Sequence, residues 1–336
     1  MPFPDPFRSS FGAVRVGQLV YVVGGHTGRF HNYSEPRFSA ACHVLDLDTM
    51  KWSAIRDYGA SKAAPKAQAS QGLRLLEYNG SVYGFGGFSY EPALDFQDSG
   101  DSWQWYARSR TEIFKYSPTE DEWSLVGHLP RPRSSYVAGR VGPLGYLIGG
   151  WDGTPLEPVD EFGAFGRLYS TIEVFDFPTE RIVPSTYRIA SPMRRAFTAT
   201  CNASRIVVAG GLGPATSNDP EGSTYDRVQT FTPSDAQEWG NLPSLPMNLF
   251  APGICEVDGT LVVAGGTRYD RRPNTDVLIL KPGANSWVVN SSRPSKAGTF
   301  FELIPVADRN VLVLGGHSGS RADPNPLGLF EVLSID

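Results

Sequence analysis

Cysteine is nearly absent. Cys42, Cys201 and Cys255 stand far apart in 336 residues, the count is odd, and no Cys-x-x-Cys occurs. That excludes a disulfide framework and a zinc ribbon, and it suits a reducing compartment, so a cytoplasmic location is expected. No apolar run reaches the roughly 18 residues that a membrane helix needs. The first residues, MPFPDPFRSS, lack the apolar stretch of a signal peptide. A net charge of -5 offers no general basic face, so neither nucleic acid nor membrane is an expected partner. Gly-x-Ser-x-Gly, His-Glu-x-x-His and phosphate-loop motifs are all missing. Helical periodicity is missing as well. What the chain does have is 36 Gly, 27 Pro, 12% aromatic and 40% hydrophobic residues, a composition of strands joined by many turns with ample material for a core.

One pattern recurs six times. LVYVVGG (19–25), SVYGFGG (81–87), LGYLIGG (144–150), RIVVAGG (205–211), TLVVAGG (260–266) and NVLVLGG (310–316) are short apolar runs closed by Gly-Gly. Each reads as a strand buried on both faces, with glycines where the exit needs positive φ or close backbone approach. Before each run comes proline and then, usually, a basic residue: Pro6-Phe7-Arg8, Pro65-Lys66, Pro132-Arg133, Pro192-Met193-Arg194, Pro246-Met247-Asn248 and Pro294-Ser295-Lys296. After the glycines comes an alternating strand, a polar turn and often Trp, as in HVLDLDTMKW (43–52) and EIFKYSPTEDEW (112–123). Ile182 replaces that Trp in the third repeat, and the sixth ends before reaching it.

Each repeat therefore holds about four strands. Six such sheets are expected to pack radially as an all-β, six-bladed β-propeller of four-stranded antiparallel blades, which leaves only short protected edges. The blades are expected near residues 8–60, 61–130, 131–191, 192–245, 246–293 and 294–336, in one domain with a monomeric core. The apolar run, the Gly-Gly pair, the aromatic-rich strand and the spaced Trp resemble the kelch motif, and the resemblance covers essentially the whole chain. It implies a ring closed by pairing of the termini, and Phe3–Phe7 is the segment expected to supply the missing fourth strand of the last blade.

Antiparallel blades send alternate loops to opposite faces, so the loop leading into each blade and the loop after Gly-Gly should share one face. The first set carries Arg8, Lys66, Arg133, Arg194, Arg195, Asn248 and Lys296. The second begins with His26, Phe88, Trp151, Leu212, Thr267 (with Arg268 beside it) and His317. The candidate ligand-binding residues are Arg8, His26, Trp103, Arg133, Trp151, Arg194, Arg195, Arg268 and His317. A ring of guanidinium groups could grip a carboxylate; equally, because the basic residue belongs to the repeat, the arginines could brace the blades by bonding loop carbonyls. Two long inserts, Phe88 to about Arg110 and Trp151 to about Tyr169, have the length of binding loops. The first is rich in aromatic anchors such as Trp103, which could also simply pack the loop. Its acidic residues read as solvated surface.

His26 and His317 open equivalent loops of neighbouring blades, but no carboxylate completes a metal set, so no metal or other cofactor is expected. Cys201 and Cys255 read as small core residues. The resemblance implies a non-catalytic binding module, because such propellers commonly serve as adaptors; the expected partner is a protein or an anionic small molecule. The alternative is an isomerase or lyase acting in the central pocket, as in the sialic-acid epimerases of the same resemblance, whose catalytic positions cannot be matched here residue by residue. The iron-binding Glu-x-x-x-Asp-x-x-x-His series of plant specifier proteins is missing, and the length leaves no room for the extra domains of galactose-oxidase-type propellers.

Overall fold

A computed structural model of the chain describes residues 2–29, 37–90, 107–153, 166–190, 194–214, 222–233, 238–268, 270, 272–318 and 325–336. These residues contain strands and turns and no helix. Five four-stranded antiparallel sheets and one three-stranded sheet follow one another along the chain, within residues 12–55, 74–128, 137–183, 198–242, 253–289 and 302–334. In blade 1, Gly12–Val16, Leu19–Val23, Cys42–Asp46 and Lys51–Ile55 lie side by side in sequence order, and the same order repeats in the other blades. Each Gly-Gly run is the second strand of its blade. Val20, Val22, Val207, Val208, Val262 and Val263 in these strands are fully buried, as a strand covered on both faces requires.

The first strands touch in turn around a closed ring, blade 6 meeting blade 1. Two circles of backbone hydrogen bonds explain why. Just before each first strand stands a residue in the left-handed region: Ser10, Gly72, Ser135, Ala196, Ala251 and Phe300, with φ between 49° and 61°. The N–H of each donates to the carbonyl of its counterpart in the preceding blade: Gly72 to Ser10 at 2.7 Å, Ser135 to Gly72 at 3.1 Å, Ala196 to Ser135 at 2.9 Å, Ala251 to Ala196 at 2.5 Å, Phe300 to Ala251 at 3.0 Å, and Ser10 to Phe300 at 3.3 Å. A left-handed non-glycine residue costs about 1–2 kcal/mol. Here that conformation turns the N–H towards the neighbouring blade, so the strain serves the ring.

The second circle accounts for the Gly-Gly pair. The second glycine of each pair donates to a carbonyl at the start of the next blade: Gly25 to Ser70 at 2.7 Å, Gly87 to Arg133 at 2.9 Å, Gly150 to Arg194 at 3.0 Å, Gly211 to Leu249 at 2.8 Å, Gly266 to Gly298 at 2.9 Å, and Gly316 to Arg8 at 3.1 Å. The carbonyl presses against the first glycine. A Cβ on Gly24 would lie 2.5 Å from the Ser70 oxygen, closer than any side chain tolerates. The motif is thus a backbone contact between blades, and only glycine permits it.

Phe3–Phe7 does not supply a fourth strand to blade 6. Among the described residues that blade has three strands, Glu302–Val306, Asn310–His317 and Pro326–Ser334. The N-terminal segment instead wedges between blades 6 and 1. Phe3, 1% exposed, stacks on Phe11 at 5.3 Å and meets Trp52 edge-on at 5.6 Å, and these rings share a core with Ile304, Leu312 and Leu314. Proline-rich and aromatic, the segment contributes apolar area where a ladder would need N–H donors.

Candidate functional site

The two loop sets lie side by side, as alternation predicts. Backbone pairing ties Ser9 to His26, Gln71 to Phe88, Ser134 to Trp151, Arg195 to Leu212, Phe250 to Thr267 and Thr299 to His317. In every blade the residue after Gly-Gly is thereby fixed beside the residue before the left-handed turn. The six rungs surround the mouth of a cavity of about 510 Å³ on the ring axis. His26, Phe88, Trp151, Leu212 and His317 line it, with Phe250 and Phe300 completing an aromatic rim.

Three of the expected anion-binding residues are elsewhere. Arg8, Arg133 and Arg194 are fully buried and turned into their own blades. Arg8 donates to the carbonyls of Gly24 at 3.2 Å and Ala41 at 2.6 Å, and to His43 Nδ1 at 2.8 Å. Arg133 donates to the Gly149 and Thr171 carbonyls at 2.5 and 3.1 Å, to Thr171 Oγ1 at 2.7 Å and to Glu173 at 3.0 Å. Arg194 donates to the Gly210 carbonyl at 2.9 Å and to Gln229 at 2.5 Å. The shared acceptor is the carbonyl of the first glycine of the pair, which the second and third strands cannot satisfy at the point where they diverge. These guanidinium groups are braces, with pKa values lowered by burial, to about 10 for Arg8 and Arg194. No cationic inner ring is formed by them.

Arg195, next to a brace, does line the cavity, and its guanidinium lies over the Trp151 ring at 4.9 Å. Arg268 is half exposed, 3.9 Å from Asp270, and is not part of the cavity wall. Trp103 and His31 lie outside the described residues, as do the middle portions of both long inserts, residues 91–106 and 154–165. Cys255 is buried as expected, and burial pushes its thiol up; Cys201 is exposed, at the outer end of its strand. Among the described residues, no three His, Cys, Asp or Glu side chains are placed to hold a metal ion, and no helix is long and apolar enough to cross a membrane.

Sequence reasoning missed the charged pair on the cavity wall. Two residues after the left-handed turn, the blades present Gly12, Arg74, Val137, Thr198, Gly253 and Glu302. Arg74 of blade 2 and Glu302 of blade 6 meet at 3.1 Å, although blade 1 stands between them. At Gly12, the blade 1 residue of this set, a Cβ would lie 2.8 Å from Leu75 Cγ, against blade 2. Arg74 Nε also donates to the Tyr136 carbonyl at 2.9 Å. Burial pushes the Glu302 carboxyl up, and Arg74 only partly offsets it. Aligning the repeats on the turn would have exposed this position; the Pro-x-basic element, which is more regular, points to the braces instead.

The Kelch motif family matches residues 8–57. Alpha-scruin of Limulus polyphemus is 24% identical over 235 residues, covering 69% of this chain and 23% of that protein. Kelch-like protein 15 of Mus musculus is 21% identical over 242 residues, covering 58% of this chain and 40% of that protein. The human Kelch repeat and BTB domain-containing protein 12 is 29% identical over 190 residues, 53% of this chain and 29% of that protein. The chain thus matches less than half the length of each of these relatives. Among solved structures, that of YjhT superposes with a TM-score of 0.74 at 14% identity, covering 100% of this chain and 97% of the other, a likeness of fold.

Proposed function

Since the chain is a kelch-repeat β-propeller, we propose that it is a protein-binding module that recognises its partner on the face where the six lead-in loops converge. The partner inserts one acidic side chain or loop tip into the central cavity. The observation that carries this reading is the mouth of that cavity, where Arg195 lies over Trp151 in a rim that includes Phe88, Phe250 and Phe300. Aromatic rings beside arginine are the usual composition of an interface anchor. The buried braces take no part in recognition. A pull-down from a lysate with the wild type, Arg195→Ala and Trp151→Ala tests the reading. Capture that both substitutions abolish, with the fold intact, supports it; capture that survives both overturns it.

One observation favours a second reading, an isomerase or lyase acting on a small anionic substrate. Glu302 is a carboxyl group pushed up by burial, in contact with a cavity of small-ligand volume and held beside Arg74. Turnover of carboxylated sugars that Glu302→Gln abolishes would establish it. Silence across such compounds, with a protein captured at the rim, leaves the binding module.

A further inference from the structure

Among the described residues, the charged side chains that line the cavity are Arg74, Arg195 and Glu302. They stand at two depths. Arg195 comes just before the left-handed turn of its blade, at the rim. Arg74 and Glu302 come two residues after the turn in theirs, level with Val137 and Thr198 of blades 3 and 4. An extended chain advances about 3.3 Å per residue, so the pair lies within roughly 10 Å below the rim. The next residues down the first strands that line the cavity, Ala13, Leu75, Ala138 and Ala199, are all apolar. At its own level and below, the pair is therefore the charged feature of the wall.

One contact closes the pair, and two of its atoms stay open. Arg74 Nη1 donates to Glu302 Oε1 at 3.1 Å, and Arg74 Nε donates to the Tyr136 carbonyl at 2.9 Å. Tyr136 is fully buried and its hydroxyl donates to the Phe85 carbonyl, so blade 3 holds the guanidinium in place. Among the described residues, Arg74 Nη2 and Glu302 Oε2 have no hydrogen-bond partner, and neither is sealed from the cavity. The wall thus presents one open donor and one open acceptor on the two halves of a neutral pair. A primary carboxamide complements both: its oxygen accepts from Nη2 and its N–H donates to Oε2. A carboxylate has two acceptors and no donor, so one oxygen suits Nη2 while the other meets Glu302 as a like charge. An alkyl group leaves both atoms of the wall without partners.

We propose that the Arg74–Glu302 pair is a carboxamide subsite, which takes an Asn or Gln side chain of the partner while the partner's acidic group stays at Arg195. This rests on the reading that the partner reaches into the central cavity. The inserted tip then carries a carboxylate and a carboxamide a few bonds apart, and the two sort by depth. Arg195 attracts the charge at the rim. Below it the charge of Arg74 is already balanced, so a second carboxylate gains little there and is repelled by Glu302. Glu302 is thus the residue that sets specificity, by excluding the anion that Arg74 alone would accept.

The probes are N-acetyl-glutamine, N-acetyl-glutamate and N-acetyl-norvaline, titrated into the full chain at about pH 7.5, where both side-chain and α-carboxylates are ionised. Each offers an α-carboxylate to Arg195, and they differ at the end of the side chain. Binding is followed by the NMR shifts of the Trp151 indole and Arg74 Nε–H signals, assigned with Trp151→Ala and Arg74→Met. N-acetyl-glutamine should bind about tenfold or more tightly than the other two. In Glu302→Gln the repelling charge is gone and Arg74 is left uncompensated, so the order should invert, with N-acetyl-glutamate the tightest. A residue that only shapes the wall would not exchange the order. Arg195→Ala should weaken all three by a similar factor. Binding that needs Arg195 but favours N-acetyl-glutamate in the wild type overturns the subsite and leaves the cavity reading standing. Equal binding of glutamine and norvaline probes overturns it, as does an order that Glu302→Gln leaves unchanged. If none of the three binds, the subsite falls, and capture with Arg195→Ala decides separately whether a partner uses the cavity. The wild-type ratio of the first two probes needs no variant, so it decides even if Glu302→Gln folds badly.

Discussion

Arg74 of blade 2 and Glu302 of blade 6 meet at 3.1 Å, so two blades that are not neighbours in the ring are coupled past the one between them. Both members keep about a quarter of their side-chain surface exposed, so the coupling is modest, on the order of 1 kcal/mol in a double-mutant cycle of Arg74→Met and Glu302→Gln. The pH dependence has a definite sign. A carboxyl raised above its ordinary 4.5 holds more protons folded than unfolded, so its contribution to stability is present at low pH and is lost as pH rises through the raised value. The Glu302→Gln protein should therefore gain on the wild type as pH rises from about 4.5. Urea midpoints at a series of pH values check this, and a gap that is constant with pH would refute it.

His43 should act in the opposite sense. Burial, and then the adjacent Arg8 guanidinium, hold His43 down to about 4, so it accepts the bond from Arg8 as a neutral ring. A histidine depressed from 6.5 makes the unfolded chain the better proton binder, and stability falls as pH drops from about 6.5 towards 4. Because the ring is only partly buried, the loss is on the order of 1–2 kcal/mol. The braces of blades 3 and 4 use Glu173 and Gln229 in the equivalent role. His43→Gln therefore copies a solution the chain already contains, and it should flatten the acid limb of the stability profile while changing little at pH 7.5.

Arg133 and Arg195 should separate stability from binding. Arg133→Ala leaves the Gly149 carbonyl without its donor and Glu173 without its cationic partner in a largely buried site, and it should cost about 3–5 kcal/mol of folding stability. Arg195→Ala removes a guanidinium from the cavity rim and should cost under about 1 kcal/mol. The measurement is thermal melting of both variants beside partner capture. Near-equal melting losses would mean that the brace and rim assignments are wrong.

Much of the fold was legible because its cause is periodic. The apolar run and Gly-Gly recur as a unit, and both the closing hydrogen bond and the pressing carbonyl need glycine at that step in every blade. The left-handed residue was not legible: Ser10, Gly72, Ser135, Ala196, Ala251 and Phe300 share a conformation and no chemistry. The arginines misled for a related reason. Regular recurrence marks a residue that serves the repeat, whereas a site on the axis is made where the repeats differ. Arg74 and Glu302 occur once each at a position that is Gly, Val or Thr in the other blades, and their pairing depends on ring closure, which no local pattern encodes. The N-terminal segment failed as a strand because its prolines remove donors while its phenylalanines can fill an interblade gap.

The Gly-Gly contact can be tested by separating close approach from backbone strain. Gly86 has φ near 50°, and a Cβ added there would lie 2.5 Å from the Arg133 carbonyl oxygen and 3.1 Å from that of Arg110. Gly80 has φ near 77° in the turn before the same strand, and nothing lies within 4 Å of where its Cβ would be. Alanine at Gly80 should show only the left-handed penalty, about 1–2 kcal/mol. Alanine at Gly86 carries that penalty and must also push back the carbonyl that accepts the Gly87 N–H, which belongs to the residue whose side chain braces blade 3. The Gly86 variant should therefore lose about 2 kcal/mol or more beyond the Gly80 variant in chemical unfolding. Equal losses would mean that the glycine pair is selected for backbone conformation alone, and that the carbonyl contact between blades carries no weight of its own.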